Sequence, residues 1–309
     1  MPSDIQVTNI KANDGTAGLV IADSTGAITA SGGIANAGAI TAGTINSGVV
    51  MVGPINKNIY ATTNISSSAN QTTIKITADK LTVFDTSNNF SVLSSVDVSP
   101  AITASGANGL DTGSEATSTW YYYYVIYNGS TTAGLLSASS TSPTMPSGYT
   151  YKKYIGAIFN QSDGHFVELY QKGGWCFSFY GTTTGAQNIK SMSGSSCTAG
   201  TEHTVNPTAF IPPNADYYRF RHQSSTSSPQ SYINVHFHAF DYLRNSGQRH
   251  GVNDSQDYIY IQDHSGQSVQ TGGEHEMPMI VPQTFYINPN YTPADLNLHH
   301  LGYKFNGVE

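Results

Sequence analysis

Short runs of β-branched and aromatic residues recur along this chain between polar turn sequences, the pattern of strands with one or both faces buried. Such runs cover Thr72–Thr77, Leu81–Asp85, Phe90–Val98, Lys153–Phe159, His165–Gln171 and Trp175–Tyr180. Further ones follow at Tyr217–Arg221, Ser231–Tyr242, Asp257–Gln262 and Phe285–Ile287. Thr86-Ser87-Asn88-Asn89 and Ser105-Gly106-Ala107-Asn108-Gly109 read as turn and loop, and Ile211-Pro212-Pro213-Asn214 and Tyr291-Thr292-Pro293 as loops where Pro denies a ladder its donor. Trp120–Tyr127, WYYYYVIY, is apolar on both faces, which predicts a central strand covered on both sides and the best core segment. No stretch holds a helical period beyond about one turn, so a parallel α/β fold is disfavoured. The expected fold class is all-β, with many short strands forming a jelly-roll-like β-sandwich.

A different pattern occupies residues 26–49, which read GAITAS, GGIANA, GAITAG, TINSGV. Ile28, Ile34 and Ile40 are spaced by six, and Ile45 follows one residue short. One Ile per short element cannot close a core within a single chain of this kind. Three chains wound together would bring the isoleucines onto a shared axis, while Gly and Ala let the backbones approach closely. These four residues are the expected trimer seam.

Composition narrows the partners. Charged residues make up 11% of the 309-residue chain, against roughly 25% in ordinary soluble domains. The net charge is −7 with 13 Lys+Arg and no basic run, so little is present to neutralise phosphates or an anionic membrane surface. Nucleic acid and membrane insertion are not expected. Twenty Tyr, twelve Phe and two Trp argue against disorder. Residues 1–14 have neither a basic region nor an apolar core, so no secretory signal is expected and synthesis is read as cytoplasmic.

Candidate chemistry is sparse. No GxSxG, HExxH, P-loop or dinucleotide fingerprint occurs, and Asp241, Asp254, Asp257 and Asp263 fall among turns and strand ends, where Asp bonds its own backbone. An enzyme is not expected, nor is a cofactor. In SYINVHFHAFDY, alternation sets Ile233, Val235, Phe237 and Ala239 on one face and His236 and His238 on the other. On a trimer axis that second pair could ligate a metal; on a solvated or interface strand it would bond to neighbours or sense pH. Glu274-His275-Glu276 and His299-His300 read as loop positions with too few ligands for a site. Tyr217, Tyr218, Tyr258 and Tyr260 are candidate surface aromatics for stacking on sugar. Cys176 and Cys197 could close one disulfide or stay as two thiols, and cytoplasmic synthesis favours the thiols.

Three stretches carry a family resemblance. The opening SDIQVTNIKANDGTAGLVIADSTGAITASG resembles the N-terminal segments of bacteriophage tail-fibre and related virion-fibre proteins. The stretch running from TIKITADKLTVFDTSNNFSVLSS through STWYYYYVIYNGSTTAGLLS is similar to a module that recurs in phage structural proteins, and LGYKFNG resembles the closing strand of such fibre domains. The resemblance implies an elongated homotrimer located in the virion. Its N-terminal segment would bind other virion proteins and its C-terminal domain would point outwards, often towards host glycan. It implies no catalytic residues. The expected organisation is a docking segment and trimeric stem over 1–60, a small β-unit over 61–100 and a β-sandwich domain over 101–309. Fibres of this loose family also sit on capsids as decorations, and this chain is short for a long receptor-binding fibre.

Overall fold

A computed structural model describes residues 55–63, 71–179, 188–193, 198, 200–225, 233–239, 259–263, 270–289 and 295–308. The chain divides into units 1–51 and 52–309, and every described residue belongs to the second. The trimer seam Ile28, Ile34, Ile40 and Ile45 therefore lies outside the described residues, as do Cys197 and Tyr258.

The unit is all-β: the described residues form seventeen strands and no helix. The first half supplies β1 (Tyr60–Thr62), β2 (Lys75–Phe84), β3 (Phe90–Val98), β4 (Gly109–Leu110), β5 (Thr119–Tyr127), β6 (Thr132–Ser137), β7 (Tyr151–Asn160), β8 (Glu168–Lys172) and β9 (Trp175–Phe179). The second half supplies β10 (Asn188–Ser193), β11 (His203–Val205), β12 (Tyr217–Ser225), β13 (Ile233–His238), β14 (Ile259–Asp263), β15 (Gln270–Pro278), β16 (Phe285–Pro289) and β17 (Asp295–Lys304).

Thirteen strands share one sheet, in the order β15-β12-β17-β9-β8-β1-β2-β7-β5-β6-β4, with β10 branching at β17 and β3 at β2. Its pairs are antiparallel except for the short parallel contact of β4 with β6. The remaining strands form a four-stranded sheet, β11-β16-β13-β14. Residues 61–100 thus contribute β2 and β3 to the sheet that also carries the strands after residue 101, and β1 joins β2 to β8 within it.

Strand β5 meets its expectation. It lies between β6 and β7, and Trp120 through Ile126 are all buried. A strand hydrogen-bonded on both edges and apolar on both faces leaves no side chain for water, which is why its sequence runs rather than alternates. The hairpin β2–β3 turns at Asp85-Asn89, where Asp85 Oδ1 accepts from the backbone N–H groups of Ser87 and Asn89 and Asn88 adopts φ 61°. The runs Thr72–Thr77 and Leu81–Asp85 prove to be one strand, β2. Its polar centre, Asp79-Lys80, faces outward, with Asp79 held by Asn58 and Lys80 bonded to Ser94.

Seven strands carried no sequence expectation from periodicity: β1, β4, β6, β10, β11, β15 and β17. Two of them correct explicit readings. Glu274-His275-Glu276 and His299-His300 are strand residues of β15 and β17, which flank β12 on either side. Their polar composition hides the pattern, because imidazoles occupy inward positions that a periodicity reading reserves for aliphatic side chains.

Between the two sheets lies an aromatic layer. Phe220 of β12 packs 5.1 Å from Phe237 of β13 and 5.4 Å from Phe285 of β16, ring centre to ring centre, and Tyr218 lies 6.0 Å from Phe285. Each of these rings is buried.

Candidate functional site

Strand β9 reads Trp-Cys-Phe-Ser-Phe, and its alternation sends Cys176 and Ser178 inward and Trp175, Phe177 and Phe179 to the other face. Pairing extends that outer face sideways. Tyr170 lies opposite Phe177 on β8, Lys304 opposite Trp175 on β17, and Tyr217 opposite Lys304 on β12. The result is a band across four strands, aromatic on β8, β9 and β12 with Lys304 of β17 between the last two, and with Tyr170 40% and Phe179 44% exposed. Trp175 and Phe177 stack at 6.2 Å. Lys304 Nζ lies 5.5 Å from the Trp175 ring and 5.8 Å from the Tyr217 ring, and the Arg219 guanidinium 6.0 Å from Phe177. Arg219 is in turn held by Glu274 at 2.6 Å. Rigid rings pinned by cations form a flat surface able to stack on a sugar or on another protein.

The opposite face of β12 has other chemistry. Tyr218, Phe220, His222 and Ser224 point inward and are buried. Nδ1 of His222 lies 2.6 Å from Nε2 of His275 on β15, while His222 Nε2 is buried without a hydrogen-bond partner among the described residues. On the other side of β12, His300 of β17 is wholly buried; its Nε2 lies 2.6 Å from Ser178 Oγ and its Nδ1 3.4 Å from the Tyr218 hydroxyl. Burial depresses all three imidazoles. His222 is lowered to about 4, by burial first and by the neighbouring His275 second, and His300 to about 3 by burial. His275 is also lowered by burial. Neutral rings in an aromatic setting serve packing and hydrogen bonding. Among the described residues, no group of three or more His, Cys, Asp or Glu side chains is placed to hold a metal ion.

The sequence candidates fall in different places. Tyr217 belongs to the outer band. Tyr218 does not: it is fully buried, because neighbouring residues on a strand face opposite ways, and its reading as a surface aromatic is corrected. Tyr260 lies on β14, paired with His236 of β13. Val235, Phe237 and Ala239 are buried, as alternation required. The side chains of His236, His238 and Tyr260, on which the metal and sugar readings rest, lie outside the described residues. Cys176 is a buried free thiol.

Trp175, Phe177, Phe179 and Tyr170, which make most of the band, were absent from the sequence candidates. Their signal was present as the alternation of WCFSF, in which the large rings take the positions opposite Cys and Ser. No protein-family model matches the chain, and no curated protein matches it.

Proposed function

We propose that this chain is a non-enzymatic structural component of a bacteriophage virion, a homotrimeric tail fibre attached through its N-terminal segment. The observation that carries this reading is the in-phase repeat of Ile28, Ile34, Ile40 and Ile45, placed directly before a low-charge all-β body. Ordering such a stem costs conformational entropy that a single chain has no core to offset, so stem formation and association are coupled. The body is read as a jelly-roll-like β-sandwich facing the host surface, with Tyr217 and its aromatic neighbours available for contact. A second placement within the same class is a fibre that decorates the capsid, where fibres of the family it resembles also sit.

The molar mass of the full chain, measured by light scattering, tests this reading. Three protomers of 33.0 kDa give about 99 kDa. Replacing Ile34 and Ile40 by Asn should return the mass to that of one chain with the body still folded. A wild-type monomer would remove the trimeric stem.

A further inference from the structure

A cavity of about 540 Å³ lies where three stretches of the body meet: the ends of β5 and β7, the loop before β12, and the turn between β15 and β16. Its apolar walls include the rings of Trp120, Phe159 and Phe210, the first two 5.2 Å apart. Its polar lining is amide and hydroxyl, including Gln161, Ser162 and Gln283. None of the ten lining residues is charged. A phosphate, a carboxylate or a cation would find no counter-charge among these residues.

The cavity is built rather than left over. The carbonyl of Thr208 accepts both the Trp120 indole N–H at 2.7 Å and the Gln283 side-chain amide at 2.9 Å, and that amide also donates to the Ile211 carbonyl. Three distant stretches are locked to one another by these bonds, so the shape exists before any ligand arrives. Backbone strain falls here too. Among the described residues, six non-glycine residues have positive φ, three of them Asn, a residue that tolerates it; of the other three, Ser118 (52°) and Gln283 (53°) both line this cavity. Meanwhile the hydroxyls of Ser118, Ser162 and Thr208, and Oε1 of Gln283, make no hydrogen bond among the described residues.

We propose that this cavity binds a neutral sugar ring, as a free pyranose or as the end of a glycan. Sugars present an apolar C–H face and a rim of hydroxyls that both donate and accept. Aromatic walls take the first, while neutral amides and hydroxyls take the second without a charged partner. The volume suits a ligand of one or two rings. The proposal rests on the fibre reading in its choice of a host glycan as source, but the site lies within the described unit of a single chain, so sugar binding and trimer mass stand or fall separately.

The test is titration of the full-length protein with glucose, galactose, mannose, N-acetylglucosamine and lactose, and with glucuronic and N-acetylneuraminic acids as anionic counterparts. Saturation-transfer NMR detects binding and calorimetry measures it. At least one neutral sugar should bind saturably with Kd on the order of 1 mM, and the acids at least about tenfold more weakly. Ser162 is exposed at the rim, so Ser162→Trp should fill the cavity without unfolding the body and weaken binding at least about tenfold, with an unchanged melting midpoint. Phe210→Ala should weaken it similarly by removing one stacking wall. The proposal is overturned by no saturable binding of any neutral sugar, by equal binding of the acids, or by binding that survives Ser162→Trp.

Discussion

His222 and His275 face each other across neighbouring strands, Nδ1 of the first 2.6 Å from Nε2 of the second. A single proton between the two nitrogens satisfies both, and a second would place a charge in an aromatic interior. In the fold His222 stays neutral down to about pH 4, whereas its ordinary value is 6.5. Between those values the unfolded chain binds more protons, so stability falls as pH drops from about 6.5 to about 4 and is insensitive to this group outside that window. His300, lowered to about 3, extends the decline further down. Thermal midpoints recorded from about pH 7.5 to about pH 4 should fall steadily, and His222→Gln should flatten the slope. A midpoint that rises on acidification would contradict the arrangement.

Gln171 ties three strands together. Its Nε2 donates to the carbonyls of Ile155 and Gly173, each at 2.7 Å, and its Oε1 accepts from the Tyr123 hydroxyl, with both side chains wholly buried. Gly156 makes room for this knot, since a Cβ there would collide with the Tyr123 hydroxyl. Gln171→Leu strands one hydroxyl and two carbonyls and should cost about 2–4 kcal/mol, against about 1–2 for Tyr123→Phe, as read by urea denaturation. A loss below about 1 kcal/mol for the leucine variant would mean that water replaces the bonds.

Cys176 is enclosed beside Tyr123, and burial pushes its thiol well above the ordinary range for cysteine. The thiolate is the reactive form, so the native protein should resist alkylation at this position. In a Cys197→Ser background, iodoacetamide labelling followed by mass spectrometry should find Cys176 unmodified until denaturant is added. Labelling of the native protein at the rate of a free thiol would place the side chain in solvent.

Gly302 lies opposite Phe177 where β17 runs beside β9, and a Cβ built on it meets the carbonyl oxygen of Cys176 at a distance no real structure tolerates. The obstacle is backbone inside a sheet, so it cannot swing aside. Gly302→Ala should therefore cost about 2–3 kcal/mol by chemical denaturation. A neutral substitution would show that β17 can lift away from β9 locally.

Much of the fold was legible from pattern alone where side chains were chemically plain. WYYYYVIY announced a strand buried on both faces, and FSVLSSVDV gave β3 with its bounds intact. Strand β15 and all of β17 before LGYKFNG stayed hidden because their inward positions hold His275 and His300, residues whose polarity in isolation points to loops and solvent. Burial of an imidazole depends on its having a partner, and the partners sit on other strands: His222 for one, Ser178 and Tyr218 for the other. Tyr217 and Tyr218 were equivalent as adjacent tyrosines, and only the register of β12 against β15 and β17 put one in the outer band and the other in the core.

By itself, the sequence determined the all-β class, the turn chemistry, the low-charge surface and the alternation that buries Val235 and Phe237. Each of these follows from local sterics or from summed composition. The tertiary structure alone decided which histidines meet, which aromatics share a face, and that Trp120, Phe210 and Gln283 line one pocket. These residues are separated by tens of positions or more, and their meeting is fixed by strand order, which arises from the burial of the whole sheet and leaves no mark in any one segment.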